Sequence, residues 1–545
     1  MSKLKIEWTF SQIEKTLFVI MTALFLLVLG YVVHINFSYY WDNLHFDIAN
    51  DLHFVREAAY QGTLFPYEWL HVFEVRLVHL TTVILPIYLI TGNVHLSYPI
   101  AVTLMIFVNC FLFYYMLSYR KIRLLPVAVG GAMLIMAFSR FGWLTVFDIL
   151  FVNGSYSLHL ATIFFTVGVY LRLKFNNATN TYRNVKLNKI LAYTIWIVSV
   201  SLAFAQGIQS SRLLFALYFP LALLEIYPLV MNAMALEKQK MKTRSPIIFT
   251  LACLLASVSG SVLMQLLLRQ DIVISYYTAH NTGLVITESG ALWARFGTSF
   301  AALLQAIGLL GGEVFSVYGL IYLLRLAMVI ALVLAIKKIA SLADNQSDIV
   351  LISFFLVSLL CSLFVMTFTS AGVAARHVMT LLPLICVMAV VALDYFMKIE
   401  NKYLLTVVCI AASLQIIVST QTLGMERREM LNQDRQHVID FLIDGGFTIG
   451  YGTPFQGEVL AAKADFEFSV ITLSDNLVHQ YRRGMTLSEF YHTQNRVFLV
   501  TTSSHIDNAG AHAISKLEHG ERHDFPRGWV VYTFENNPWQ LPRPR

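Results

Sequence analysis

NFSYYWDNLHFDIANDLHFVREAAYQGTLFPYEW, residues Asn36 to Trp69, is the stretch whose reading decides how the chain is organised. It follows an apolar run, Leu17 to Ile35, of the length that crosses a bilayer core. Five acids (Asp42, Asp47, Asp51, Glu57 and Glu68) then stand among aromatics just beyond that run. A carboxylate beside hydrocarbon is costly unless it is paired, wetted or used. The stretch is therefore expected to meet water or a polar ligand at a membrane surface.

The rest of the composition agrees. Hydrophobic residues make up 57% of the 545 and charged residues 13%, against about 45–50% and about 25% for a soluble globular protein. The chain reads as a polytopic α-helical membrane protein. Leu17–Ile35 lacks the small-residue cleavage pattern of a signal segment and is expected to be a retained first helix. The net charge of +6 is spread by membrane side and carries no sign of a nucleic-acid partner. Cys110, Cys253, Cys361, Cys386 and Cys409 all fall inside apolar runs without metal-ligand spacing, so neither a disulfide nor a zinc site is expected.

Further spans are expected at Ser97–Leu117, Leu124–Phe138, Ser155–Leu171, Ile190–Gln209, Leu213–Val230, Pro246–Leu268, Tyr318–Ile336, Ile349–Phe368, Val378–Met397 and Tyr403–Ser419. Val75–Ile90 is shorter and carries Arg76, His79 and Pro86, which suits a juxtamembrane helix. Lysine and arginine support that choice. With Lys3, Lys5 and Lys15 inside and Val75–Ile90 not crossing, the clusters at Arg120-Lys121-Arg123, Arg172–Lys189, Lys238–Arg244, Lys337-Lys338 and Lys398–Lys402 all fall on the cytoplasmic side. Counting Val75–Ile90 as a crossing would put every later cluster outside. The expectation is about 11 transmembrane helices, a cytoplasmic N-terminus and an extracytoplasmic C-terminus.

Three long segments then share the outer side: the first outer loop (36–96), Arg269–Ser316, and the chain beyond Gln421. Residues 1–421 are expected to form the membrane domain and 422–545 a small extracytoplasmic α/β domain. In the latter, FTIGYGTP, DFEFSVITL, NRVFLVTT and GWVVYTFEN alternate like strands, and Leu487–His492 and Ala511–His519 read as helical pieces.

This layout, with two local motifs, resembles the GT-C class of integral-membrane glycosyltransferases, in particular the protein mannosyltransferase and lipid A aminoarabinose transferase types and uncharacterised Gram-positive members. The first motif is Asp47, followed at fifteen residues by Gly62 and then by Phe65-Pro66-Tyr67; Ile48 stands where the family often has a second acid. The second is Arg376-His377-Val378-Met379-Thr380-Leu381-Leu382-Pro383, with His377 in place of the family's Tyr. A third phrase, Gly450-Tyr451-Gly452-Thr453-Pro454-Phe455, is similar to a region of the Gram-positive members but lacks their final Trp.

The resemblance implies an inverting glycosyltransferase that takes a sugar from a polyprenyl-phosphate donor to an extracytoplasmic glycan, lipid or protein. Such transfer needs a base for the acceptor hydroxyl and cations for the phosphate leaving group. Asp47 is the expected base, a role compatible with capping the helix that starts at Ile48. Asp42 and Asp51 are its neighbours and alternatives, and are grouped with the substrate-binding residues. Asp148, in the outer loop Ser139–Asn153 that also holds the interface residue Arg140, is the second catalytic acid that the resemblance implies. Arg376 is the first choice for the phosphate. Arg325, a cation inside the apolar run YLLRLAMVI, is the second. His377 and Glu288 complete the substrate-binding set, while Glu225 and Asn109 suit structural roles. No cofactor is expected, and the first-loop acids are too loosely spaced to name a divalent-metal site. Two other functions fit the compartment: a flippase or transporter of lipid-linked sugars, for which matching halves are not evident, and a polysaccharide polymerase, for which the Arg269–Ser316 loop carries few arginines.

Overall fold

The computed structural model of the chain describes residues 9–71, 75–136, 146–175, 185–233, 245–270, 273–275, 289–309, 317–340, 346–369, 373–430, 435–453, 456–474, 477 and 484–540. It divides into two compact units. One comprises Met1–Asn36, Val102–Leu263 and Thr282–Arg428, the other Phe37–Ala101, Met264–Asn281 and Glu429–Arg545.

The first unit is helical. Each expected span lies on a helix or a helix pair: Phe10–Ser38, Val94–Leu117, Leu124–Met136, Ser157–Phe175, Val185–Gln209, Leu214–Tyr218 running into Phe219–Ala233, Ser245–Arg269, Val317–Ala340, Gln346–Phe368, Leu381–Lys398 and Lys402–Met430. Among the described residues, seven helices are long and apolar enough to cross a membrane. Their outward faces carry large apolar side chains such as Leu27, Leu255, Leu360 and Val407. Apolar surface on that scale is stable against lipid and not against water. Leu381–Lys398 is the exception, because nearly all of it is buried and other helices pack around it. Leu124–Met136, at 13 residues, is about 20 Å long and shorter than the hydrocarbon core.

The Arg269–Ser316 segment departs from the expectation of an outer loop. It contains the helix Ser289–Ala306, which belongs to the first unit. Arg295 Nη2 donates to the carbonyls of Met366 and Thr369, and Thr367 Oγ1 donates to Ser299 Oγ at 3.3 Å. The helix escapes a hydropathy reading because Arg295, Gly290 and Gly297 interrupt its apolar residues.

The second unit gathers parts of all three segments assigned to one side by charge. Its sheet has the order β4-β3-β5-β7-β6, where β3 is Ile449–Gly452, β4 Ser469–Thr472, β5 Val497–Thr502, β6 Glu521–Phe525 and β7 Trp529–Phe534. β4, β3 and β5 are parallel, and β7 and β6 run antiparallel to their neighbours. β3 is buried along its whole length. A Cβ on Gly450 would sit 2.5 Å from the Phe498 ring, so glycine is what lets the strands close there. β6, sequence ERHDF, is an edge strand whose charged residues hide it from a pattern search. Two short strands, β1 (Leu70–His71) and β2 (Ile274–Ser275), pair in parallel. Leu70 also exchanges backbone hydrogen bonds with Gly484 and Met485, both 2.8 Å. The first loop is thereby stitched to the C-terminal sheet region.

The juxtamembrane segment is the helix Thr81–Thr91, ended by Gly92 in the left-handed conformation. Its 11 residues extend about 16 Å, too little to cross a bilayer.

Candidate functional site

The helix Phe46–Gln61 carries the first-loop acids. His45 is its N-cap, with extended backbone and a ring Nδ1 that accepts from the Asp47 N–H at 3.3 Å. The capping role open to Asp47 therefore belongs to His45. Asp47 stands half-buried in the first turn, where the partial positive charge of the helix N-terminus favours a carboxylate. Among the described residues its carboxylate takes part in no ion pair. At the other end, Gly62 at φ 64° closes the helix, its N–H donating to the carbonyls of Ala58 and Ala59. The Asp47–Gly62 spacing is thus one helix from first turn to left-handed cap.

Asp51, one turn on from Asp47, is in a different situation. It is 2% exposed, and Oδ1 accepts from Arg76 Nε at 2.7 Å while His79 Nδ1 lies 3.8 Å from Oδ2. Arg76 also sits over the Phe54 ring, 5.4 Å from its centroid. A carboxylate buried against its cation in this way is committed to holding the fold. Asp42 is half-buried in the single turn Tyr40–Asn43. Beside it, Tyr40 Oη meets His95 Nδ1 at 2.8 Å and the half-exposed Trp41 ring lies 4.6 Å from the His95 ring.

The remaining expected residues belong to the first unit. Asp148 is buried at the start of a one-turn π-helix, Asp148–Val152, a form common at functional positions. The Phe151 carbonyl in that turn accepts from Asn36 Nδ2 at 3.0 Å. Arg376 and His377 lie half-buried on the 3-10 turn Ala375–Val378, just before the helix Leu381–Lys398. Pro383 falls in the first turn of that helix, where its missing N–H costs nothing. Among the described residues, Arg376 Nε is buried without a hydrogen-bond partner. Arg325, 2% exposed, donates to the Gly308 carbonyl at 3.2 Å and to Ser419 Oγ at 3.0 Å. Gly308 has φ 65°, and a Cβ there would strike Arg325 Nη1. Glu288 and Arg140 lie outside the described residues, as do Pro454 and Phe455 of the third motif. Glu225 accepts from Tyr170 Oη at 2.5 Å and from Lys174, and Asn109 Nδ2 donates to the carbonyls of Met105 and Ser157, so both brace helices.

The sequence reading missed a set of residues on the same first-loop helix. Asn50 Nδ2 donates to Glu458 Oε2 at 3.1 Å. His53 reaches the Gly484 carbonyl through Nδ1 at 3.1 Å and Glu489 Oε1 through Nε2 at 3.2 Å. Burial draws the His53 imidazole down, but the Glu489 carboxylate and then Glu57 and the Gly484 carbonyl outweigh it, leaving the pKa raised. For Glu489, burial pushes upward, and His53 with hydrogen bonds from Thr486 and Ser469 brings it down to about 2. The one local signal was Thr486-Leu487-Ser488-Glu489, a capping box that the structure forms in full. Among the described residues no group of three or more His, Cys, Asp or Glu is placed to hold a metal ion.

No family model matches the chain, and no curated protein sequence matches it. Among solved structures it is similar to the crystal structure of ArnT from Cupriavidus metallidurans bound to undecaprenyl phosphate. The TM-score is 0.54 at 11% identity, over 96% of this chain and 99% of that one. The chain thus has the fold of that structure along nearly its whole length, and the expected polytopic helical fold with a small C-terminal α/β region is the one observed.

Proposed function

We propose that this membrane protein is a GT-C glycosyltransferase that moves a sugar from a polyprenyl-phosphate-linked donor to an extracytoplasmic glycan, lipid or protein acceptor. The observation that carries the reading is the end-to-end fold likeness to ArnT, a protein solved with undecaprenyl phosphate. The basic residues of the inter-helix loops support an extracytoplasmic position for the second unit.

In this reading Asp47 is the general base. Its carboxylate takes the acceptor hydroxyl proton as the acceptor oxygen attacks the sugar's anomeric carbon from the face opposite the phosphate. The bond to the phosphate oxygen breaks with its electron pair, the anomeric configuration inverts, and a polyprenyl phosphate leaves with the added charge. Half-burial in the first turn of its helix leaves Asp47 reachable, which burial against Arg76 denies to Asp51. Arg376 is proposed to hold the phosphate as its charge develops, with His377 beside it. The partnerless Nε supports that role among the described residues. Asp148 is proposed as the second acid, from its buried place at the start of the π-turn. Arg325 is the weaker phosphate candidate, because its hydrogen bonds to Gly308 and Ser419 fasten helices together.

A radiolabelled undecaprenyl-phosphate sugar supplied to proteoliposomes tests the reading. Transfer predicts label on an added acceptor with release of undecaprenyl phosphate. Label that only changes leaflet would instead identify a flippase.

A further inference from the structure

The Asp47 helix has a second face that the chemistry above does not use. Asn50 and His53, one turn apart, point into the C-terminal part of the second unit, where Glu458, Phe466, Ser469, Gly484 and Met485 line a cavity of about 20 Å³ with them, room for a single water. Gly484 fits only as glycine. It has φ 66°, a Cβ would lie 1.7 Å from Asn50 Oδ1, its N–H donates to Leu70 and its carbonyl faces His53. Gly484 is fitted to this helix.

The two partners of His53 are both acceptors, a carbonyl oxygen and a carboxylate oxygen. A neutral imidazole has one N–H and satisfies one of them; the imidazolium satisfies both. Glu489 is held as a carboxylate by Thr486 N–H at 2.8 Å and Ser469 Oγ at 2.8 Å. Other charged groups facing or bordering the ring are Glu57 on its own helix, Glu458 across the cavity, and the Arg56–Asp465 pair, with the Phe466 ring stacked 5.2 Å away and Trp69 edge-on at 5.3 Å.

We infer that the C-terminal α/β region positions the Asp47 helix through an interlock of Asn50 and His53 with Glu458, Gly484 and Glu489, and that the interlock is tight when His53 is protonated and loosens when it is not. The inference rests on the transferase reading only for its effect on turnover. His53 is a positioning residue, acting through the helix that carries the base.

The raised His53 and lowered Glu489 values set the window. The His53 contribution is complete below about 6.5 and lost as pH rises through the raised value. The Glu489 contribution is complete above about 4.5 and lost as pH falls through about 2. The interlock is therefore at full strength in mildly acidic conditions and weakens toward alkaline ones.

The test is amide hydrogen exchange of residues 46–61 in the full-length reconstituted protein, corrected for intrinsic rates, at about pH 6 and about pH 9. Wild type should lose about tenfold or more of its protection at the higher pH. His53→Gln should show the low protection at both. Glu489→Gln removes the same charge from the other side and should do likewise, so the test survives one variant failing to fold. In the transfer assay, kcat should fall with protection while KM for the donor holds, and His53→Gln should flatten that pH profile. Wild-type protection that does not change with pH, or variants that keep the wild-type pH dependence, would overturn the inference. PH-dependent protection without transfer from any lipid-linked sugar would leave the interlock standing and remove the transferase reading.

Discussion

In the helical unit, one buried cluster of charges is fully committed. Arg120 bridges Asp348 at 2.8 Å and Asp394 at 2.6 Å, Tyr119 donates to Asp348 at 2.6 Å, and Lys398 reaches Asp394 at 3.0 Å. These side chains tie the turn after Val94–Leu117 to the start of Gln346–Phe368 and the end of Leu381–Lys398. In the second unit, one helix carries both kinds of acid. Asp51 is sealed against Arg76, while Asp47, one turn away, is half-buried without an ion pair among the described residues. An acid buried beside its cation is spent on holding helices. An acid half-buried at a helix start, outside any such pair among the described residues, is available for chemistry.

That contrast can be broken by substitution. Asp51→Ala strands the buried Arg76 and should cost about 3–5 kcal/mol, measured by chemical denaturation in detergent. A cost near zero would mean that Asp51 is not committed to the fold. Asp394→Ala removes two of the cluster's contacts but leaves Arg120 paired with Asp348, so a smaller loss of about 1.5–3 kcal/mol is expected. Gly484→Ala forces a side chain into a left-handed position against Asn50. It should cost about 1–3 kcal/mol and raise hydrogen exchange in residues 46–61 without touching the helical unit's cluster. Equal loosening of both would argue against a separate interlock.

Much of the helical unit was legible because a bilayer demands long apolar runs, and Leu17–Ile35 or Ile349–Phe368 can be nothing else. Ser289–Ala306 was not, since its glycines and Arg295 dilute the signal that packing against Gln346–Phe368 supplies. β3, β4, β5 and β7 were visible in alternation and apolar content, whereas β6 has the charged pattern of an edge. At the site, the Asp47–Gly62 spacing was legible as a motif but its cause was not. Histidine is an uncommon N-cap, so His45 gave no warning that it would leave Asp47 free of that task. Asp51–Arg76 and His53–Glu489 join residues whose sequence separation offers no local cue. Only the capping box at Thr486 hinted that Glu489 would be held in place.

The account stands most directly on single-turnover transfer from an undecaprenyl-phosphate sugar by Asp47→Asn, compared with wild type in the same proteoliposomes. Loss of the general base should slow the chemical step about 10²–10⁴-fold, with donor binding and the denaturation midpoint unchanged. Turnover at the wild-type rate in the folded variant would contradict it, and would pass the role of base to another residue.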